Sequence, residues 1–173
     1  MEWIVQILTH TPWWVYALFV FLVSRGLRAL KPADVAPATL ALIPLVFIVW
    51  GLFDLNRLYG IGAATLAPWI VALAVGGAVG IAILRGAPLT ADRARGMIHR
   101  PADYTVLPLI LLAFAIKYTF GVMDATSPGL LQAPFYRLAD LACSGFFAGV
   151  FAGKFAIYMK AYFAAPAPDA IAS

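Results

Sequence analysis

Apolar residues run almost unbroken through five stretches of this chain, about 12–30, 39–58, 66–84, 104–123 and 135–158, with polar residues gathered in the short segments between them. Runs of roughly 20 apolar residues, wound as helices, match a hydrocarbon core about 30 Å thick. A helix also satisfies its own backbone hydrogen bonds where no water can. The pattern predicts an all-α polytopic membrane protein of five transmembrane helices, one domain over residues 1–163. Ahead of the first span, residues 2–9 alternate Trp3, Ile4, Val5, Ile7 and Leu8 with Gln6 and Thr9. They are too few to cross a bilayer and predict a short interfacial helix. Thr11 and Pro12 then fit an N-cap and first helical position. Residues 164–173, from Ala164 through APAPDAIAS, carry too little apolar surface to fold and predict a disordered tail.

Within the spans the pattern has finer structure. In the third, Ala72, Gly76 and Gly80 recur every four residues, and in the fifth Gly145, Gly149 and Gly153 do the same. Small residues at this spacing let two helix backbones approach closely, so these helices are expected to pack tightly, the fifth against the third. A gapless alignment lays residues 37–55 over 101–119: Pro37 meets Pro101, Ala38 meets Ala102, Pro44 meets Pro108 and Leu45 meets Leu109. Thr39 and Asp103 fall together as expected N-caps, with the second proline five residues into each helix. Each preceding span ends in Arg-Gly, at Arg25-Gly26 and Arg85-Gly86. Two parallel helical-hairpin repeats plus a fifth helix follow from this register.

Composition sharpens the class. Of 173 residues, 64% are hydrophobic and 12% charged, far from the balance of soluble domains, and the mean hydropathy is +0.91. The net charge of +4 does not imply nucleic acid, because the basic residues flank apolar spans instead of forming a soluble face. Nine of them, Arg25, Arg28, Lys31, Arg85, Arg93, Arg95, Arg100, Lys154 and Lys160, fall on one side of the expected topology, and Arg57, Lys117 and Arg137 on the other. That bias predicts that the N-terminus lies outside and the C-terminus in the cytoplasm. Glu2 and the lack of a basic leading segment argue against a cleaved signal.

Candidate chemistry lies in the charges that interrupt the spans. Lys117 is the clearest, an ammonium deep in an apolar run. At about 1.5 Å per residue, Lys117, Asp54 and Asp140 all lie about 6–9 Å inside the periplasmic ends of their helices. Arg57 and Arg137 each stand three residues from an aspartate, and Asp124 seven from Lys117. The six charges sum to zero, so a compensated cluster joining the second, fourth and fifth spans is expected. Asn56, Tyr118 and Ser144 are placed to line a polar cavity beside it. The cluster is open to two readings: it fixes helix register, or it lines an outward cavity for a proton, an ion or a small polar solute.

Catalytic and metal chemistry find little support. The single cysteine, Cys143, permits no intrachain disulfide and no CxxC, and its apolar flanks suit a packing residue. His10 and His99 are expected on opposite sides of the membrane, where they would not share a haem iron. No HExxH, GxSxG or P-loop occurs. No cofactor or metal is expected, and a scaffold or subunit of a membrane assembly is favoured over a small transporter or channel, with a membrane-embedded enzyme third. The expected partners are the lipid bilayer and other membrane subunits or a second copy of this chain.

The set Thr11-Pro12, Arg25-Gly26, Pro44-Leu45, Arg100-Pro101, Pro108-Leu109 and Lys117-Tyr118, spread over five short spans, resembles a group of bacterial inner-membrane proteins of unknown function. It is also distantly similar to a small membrane-protein family associated by name with cytochrome c biogenesis. The resemblance implies the compartment and carries no site residues with it.

Overall fold

A computed structural model describes residues 13–166, so the interfacial helix expected at 2–9, the Thr11-Pro12 cap and the tail beyond Pro166 lie outside the described residues. The described chain is mostly helical. In order it forms α1 (Trp13–Ala29), β1 (Ala33–Val35), α2 (Pro37–Tyr59), α3 (Ala63–Leu84), β2 (Thr90–Asp92), β3 (Met97–Arg100), α4 (Val106–Thr126), the short α5 (Pro128–Gln132) and α6 (Pro134–Ala164). Four of these, α2, α3, α4 and α6, are long and apolar enough to cross a membrane. The described part of α1 has 17 residues, which reach about 25 Å at helical rise.

The helix ends follow local chemistry more closely than the apolar runs do. Pro37 sits at the first position of α2, after an Ala36 N-cap, so Thr39, expected as the cap, lies inside the first turn with its N–H on the Ala36 carbonyl. Gly60 ends this helix at a φ of 74°, a conformation that suits glycine. α3 starts a turn earlier than its apolar run because the Thr65 hydroxyl accepts from the Gly62 N–H and donates to the Gly60 carbonyl. α4 starts two residues late: Asp103 Oδ1 accepts from both the N–H and hydroxyl of Thr105, holding an Asx turn ahead of the helix. Pro44 therefore lies two turns into α2, whereas Pro108 falls in the first turn of α4. The two segments aligned as a repeat begin differently.

Two polar segments that read as plain loops in the sequence form a three-stranded antiparallel sheet, in the order β1-β3-β2. Ala33, Asp34 and Val35 pair with Arg100, His99 and Ile98, while Thr90, Ala91 and Asp92 pair with His99, Ile98 and Met97. Strand alternation turns Ile98 and Arg100 inward and Met97 and His99 outward. Gly96, at a φ of 65°, makes the reversal between β2 and β3. Ile98 packs with Leu84 and Tyr158 in a small core of its own. The sheet closes one end of the bundle, called here the sheet end.

Helix α6 is the centre of the bundle. It packs most extensively on α3 and next on α2, and α1 rests on α4. The contact with α3 is a glycine zipper. A Cβ added at Gly76 or Gly80 would collide with the Phe146 or Val150 carbonyl of α6. Conversely, one added at Gly145, Gly149 or Gly153 would collide with the Trp69, Leu73 or Gly77 carbonyl of α3. The small-residue stripes are thus consumed inside the chain, which leaves none of these five glycines for pairing with another copy. The main apolar core, with Leu22, Phe47, Leu55, Ile110, Leu141, Ala148 and Phe151, joins α1, α2, α4 and α6. Leu45, Val49, Ile70 and Val75 stay exposed on the flanks of α2 and α3, as lipid-facing positions would.

Candidate functional site

At the end opposite the sheet, three helices bring their charges together. Lys117 projects from α4 and places Nζ 3.1 Å from Asp54 Oδ2 of α2 and 3.2 Å from Asp140 Oδ1 of α6. These side chains are secluded: Lys117 is 11% exposed and Asp140 3%. One ammonium thus bridges two carboxylates from two other helices, and each contact is charge-assisted. Helical registry brings this about, since each residue lies one to three turns from the end of a helix at the same end of the bundle.

The surrounding charges take different partners from those expected. Arg57 donates to Asp124 at 2.9 Å, linking α2 to α4, and stands 3.9 Å from Asp54. Asp124 is therefore held by Arg57 and not by Lys117. Arg137 makes no ion pair among the described residues, and Asp140 takes its second hydrogen bond from Tyr59, whose hydroxyl donates to Oδ2 at 3.1 Å. Tyr59, absent from the expected cluster, stands where Arg137 was expected. Tyr59 ends α2 beside Asp140, whereas Arg137, three residues before Asp140 on α6, stays half-exposed.

Of the expected polar lining, only Ser144 is in place. It lines a cavity of about 10 Å³ with Gly51, Lys117, Cys143, Phe47 and Phe147. Asn56 is exposed on α2, and Tyr118 stacks on Phe114 with ring centres 6.2 Å apart. Cys143 is a free thiol on the cavity wall.

A second buried charge cluster stands near the sheet end. Lys154 of α6, 3% exposed, places Nζ 2.6 Å from Asp103 Oδ2 and donates to Thr105 Oγ1 at 2.6 Å. Thr105 in turn donates to Asp103 Oδ1 at 2.6 Å, so the ammonium, the hydroxyl and the carboxylate close a ring. Asp103 stands outside the helical spans. Burial by itself would raise its carboxyl pKa, but hydrogen bonds from Lys154 and Thr105 outweigh burial and hold it below the ordinary 3.8. Next to it, Arg100 aims its guanidinium at the end of α1. It donates to the carbonyls of Arg28 and Ala29 at 2.9 and 3.1 Å and to that of Lys31 at 3.3 Å. Those of Arg28 and Ala29 are the last carbonyls of α1 and that of Lys31 lies two residues beyond, where a cation also meets the negative end of the dipole. The Asp103 N–H donates to Ala29 as well.

Sequence reasoning missed this second cluster. Lys154 and Arg100 read as exposed charges flanking their spans, and Asp103 as a simple cap. The alternation across Met97–Arg100 was the available signal, since a strand that buries Ile98 buries Arg100 too. On the outer face of the same strand His99 Nδ1 meets Asp34 Oδ1 at 2.7 Å, exposed and directly across the β1–β3 ladder. Set beside protein-family models, curated proteins and solved structures, the chain matches none.

Proposed function

We propose that this chain is a non-enzymatic integral membrane protein, a scaffold or subunit of a bacterial inner-membrane assembly, in which both buried charge clusters serve as clamps between helices. The observation that carries the reading is Lys117, satisfied by two carboxylates at once in a setting with room for about one water. A conducting or transporting site needs a path wide enough for its cargo. The five-span topology is part of the proposal, with α1 as the first span, the N-terminus periplasmic and the sheet end cytoplasmic. After Lys154 and Arg100 are set aside as buried, Arg25, Arg28, Lys31, Arg85, Arg93, Arg95 and Lys160 still gather at that end. The parallel hairpin duplication belongs to the same reading and rests on the Pro37/Pro101 and Pro44/Pro108 register, and kinship with the inner-membrane group of unknown function rests on the dipeptides from Arg25-Gly26 to Lys117-Tyr118.

Two measurements test it. Blue-native electrophoresis of gently solubilised native membranes should place the chain in a species much larger than the purified protein. Proteoliposomes of the purified chain should show no proton or ion flux above empty vesicles. Flux driven by a pH gradient and abolished by Lys117→Met would establish the second reading, transport through the cluster, which the Ser144-lined cavity beside Lys117 favours.

A further inference from the structure

Opposite the sheet, Lys117 and Arg57 each meet a carboxylate. At the sheet end, α1 closes with Arg25, Arg28 and Lys31, three cations within seven residues, and none of them makes an ion pair among the described residues. From Trp13 to Ala33 the chain holds no acid, and the next one, Asp34, faces His99. A basic last turn ordinarily serves the helix's own last carbonyls and its dipole. Here other groups do so. The Leu30 N–H meets the Leu27 carbonyl, the Arg100 guanidinium takes those of Arg28 and Ala29, and the Asp103 N–H adds a second bond to Ala29. The three cations are left over from what the helix itself needs.

Their setting selects the occupant. Arg28 and Lys31 are exposed, and Arg25 is half-buried with its guanidinium 5.3 Å from the centre of the Phe21 ring. Like charges this close in the chain repel one another, so a bound anion relieves them, and guanidinium forks match the oxygens of a phosphate. On the same helix Val20 and Leu27, seven residues apart on one face, are 66% and 52% exposed and form an apolar flank leading up to the cations. Tyr104, next to Asp103 in the chain, is 71% exposed, as suits a ring at headgroup level. Cations above an apolar flank complement a molecule with an anionic head and apolar tails. We infer that the end of α1 is a binding site for the phosphate of an anionic phospholipid, whose acyl chains lie along Val20 and Leu27. The other basic groups of this end are engaged or dispersed: Arg95 pairs with Asp92, Arg93 lies over Tyr162, and Arg85 and Lys160 stand at the ends of α3 and α6. The site rests on α1 being the first span, and not on the choice between scaffold and transporter.

Competition for a fluorescent phosphatidylglycerol bound to the purified full chain in detergent tests this without a variant. Unlabelled phosphatidylglycerol should displace the tracer at a concentration at least about tenfold lower than phosphatidylcholine of the same acyl chains, and added salt should narrow the gap. Inorganic phosphate at the same concentration should displace none; displacement as effective as that by the lipid would overturn the assignment to a lipid. Arg25→Gln combined with Arg28→Gln and Lys31→Gln should weaken phosphatidylglycerol binding at least about tenfold. Arg85→Gln combined with Arg95→Gln and Lys160→Gln removes as much charge from the same end and should change it by less than about twofold. Equal displacement by the two lipids in the unaltered chain would overturn the proposal, and so would equal losses in the two triple variants, the mark of a diffuse field. Labelling of Val20→Cys, in a Cys143→Ser background, by a membrane-impermeant maleimide in proteoliposomes would place α1 outside the bilayer and overturn the span together with the site.

Discussion

The two ends of the bundle solve the same problem differently. At the end opposite the sheet, one ammonium is shared between two carboxylates from two helices, with Tyr59 and Arg57 around it and side-chain exposures of 3–15% for the three core charges. At the sheet end, one ammonium meets one carboxylate and one hydroxyl in a closed ring, at 3% and 7% exposure. The first is a branched clamp whose acids keep Tyr59 and Arg57 as further neighbours; the second is a drier pair in which Thr105 holds Asp103 Oδ1 but Oδ2 faces Lys154 alone. Removing one partner from a buried pair strands the other, so the sheet end should be the more brittle of the two. Redundancy, and not the number of charges, sets how much each cluster tolerates.

The largest effect is expected from Lys154→Met, which leaves Asp103 buried beside an apolar side chain and should cost about 3–5 kcal/mol in detergent unfolding assays. Replacing both partners, Asp103→Leu with Lys154→Met, should recover most of that loss, because two apolar groups strand no charge. Equal melting of the single and double variants would remove the idea of a stranded charge. Next comes Lys117→Met, expected to cost about 1–3 kcal/mol, since Tyr59 still donates to Asp140 and Arg57 still approaches Asp54. A loss larger than that of Lys154→Met would reverse the ranking of the two ends.

Acid sharpens the comparison further. The folded-state pKa of Asp103 lies below its unfolded value of 3.8. Its contribution is therefore complete above that value and is lost as pH falls through the lower folded pKa. Thermal unfolding followed from pH 7 down to pH 3 should show this contribution intact until the last part of the range, and Asp103→Asn should lose that acid-linked component. Smallest of all should be Arg57→Met. Its side chain is 49% exposed, so the Asp124 pair should be worth about 0–1 kcal/mol.

The same contrast explains how far the sequence could be read. Lys117 stands out because nothing else charged interrupts its apolar run, and Asp54 and Asp140 share its depth by simple counting along the helices. The glycine stripes of α3 and α6 carry their spacing openly, and they do meet. Lys154 stands near the end of an apolar run, where a positive charge ordinarily snorkels to the surface. What buries it is α6 continuing to Ala164 and the sheet closing over the helix end, and neither is a local property of residues near 154. The strands are three or four residues long, too short for periodicity to reveal, and β1 pairs with β3 across about 65 positions. Arg137 and Tyr59 exchanged roles because counting charges finds arginines, whereas the helix end at Gly60 decides which group reaches Asp140.

The central claim is that Lys117 holds α2, α4 and α6 together through its acids, and the coupling between Lys117 and Asp140 measures it most directly. Unfolding free energies of the unaltered chain, Lys117→Met, Asp140→Asn and the double variant, in one detergent at pH 7, close a double-mutant cycle. The account predicts a coupling of at least about 1 kcal/mol, with the double variant more stable than the sum of the single losses implies. Additive losses, with no coupling beyond error, would contradict it.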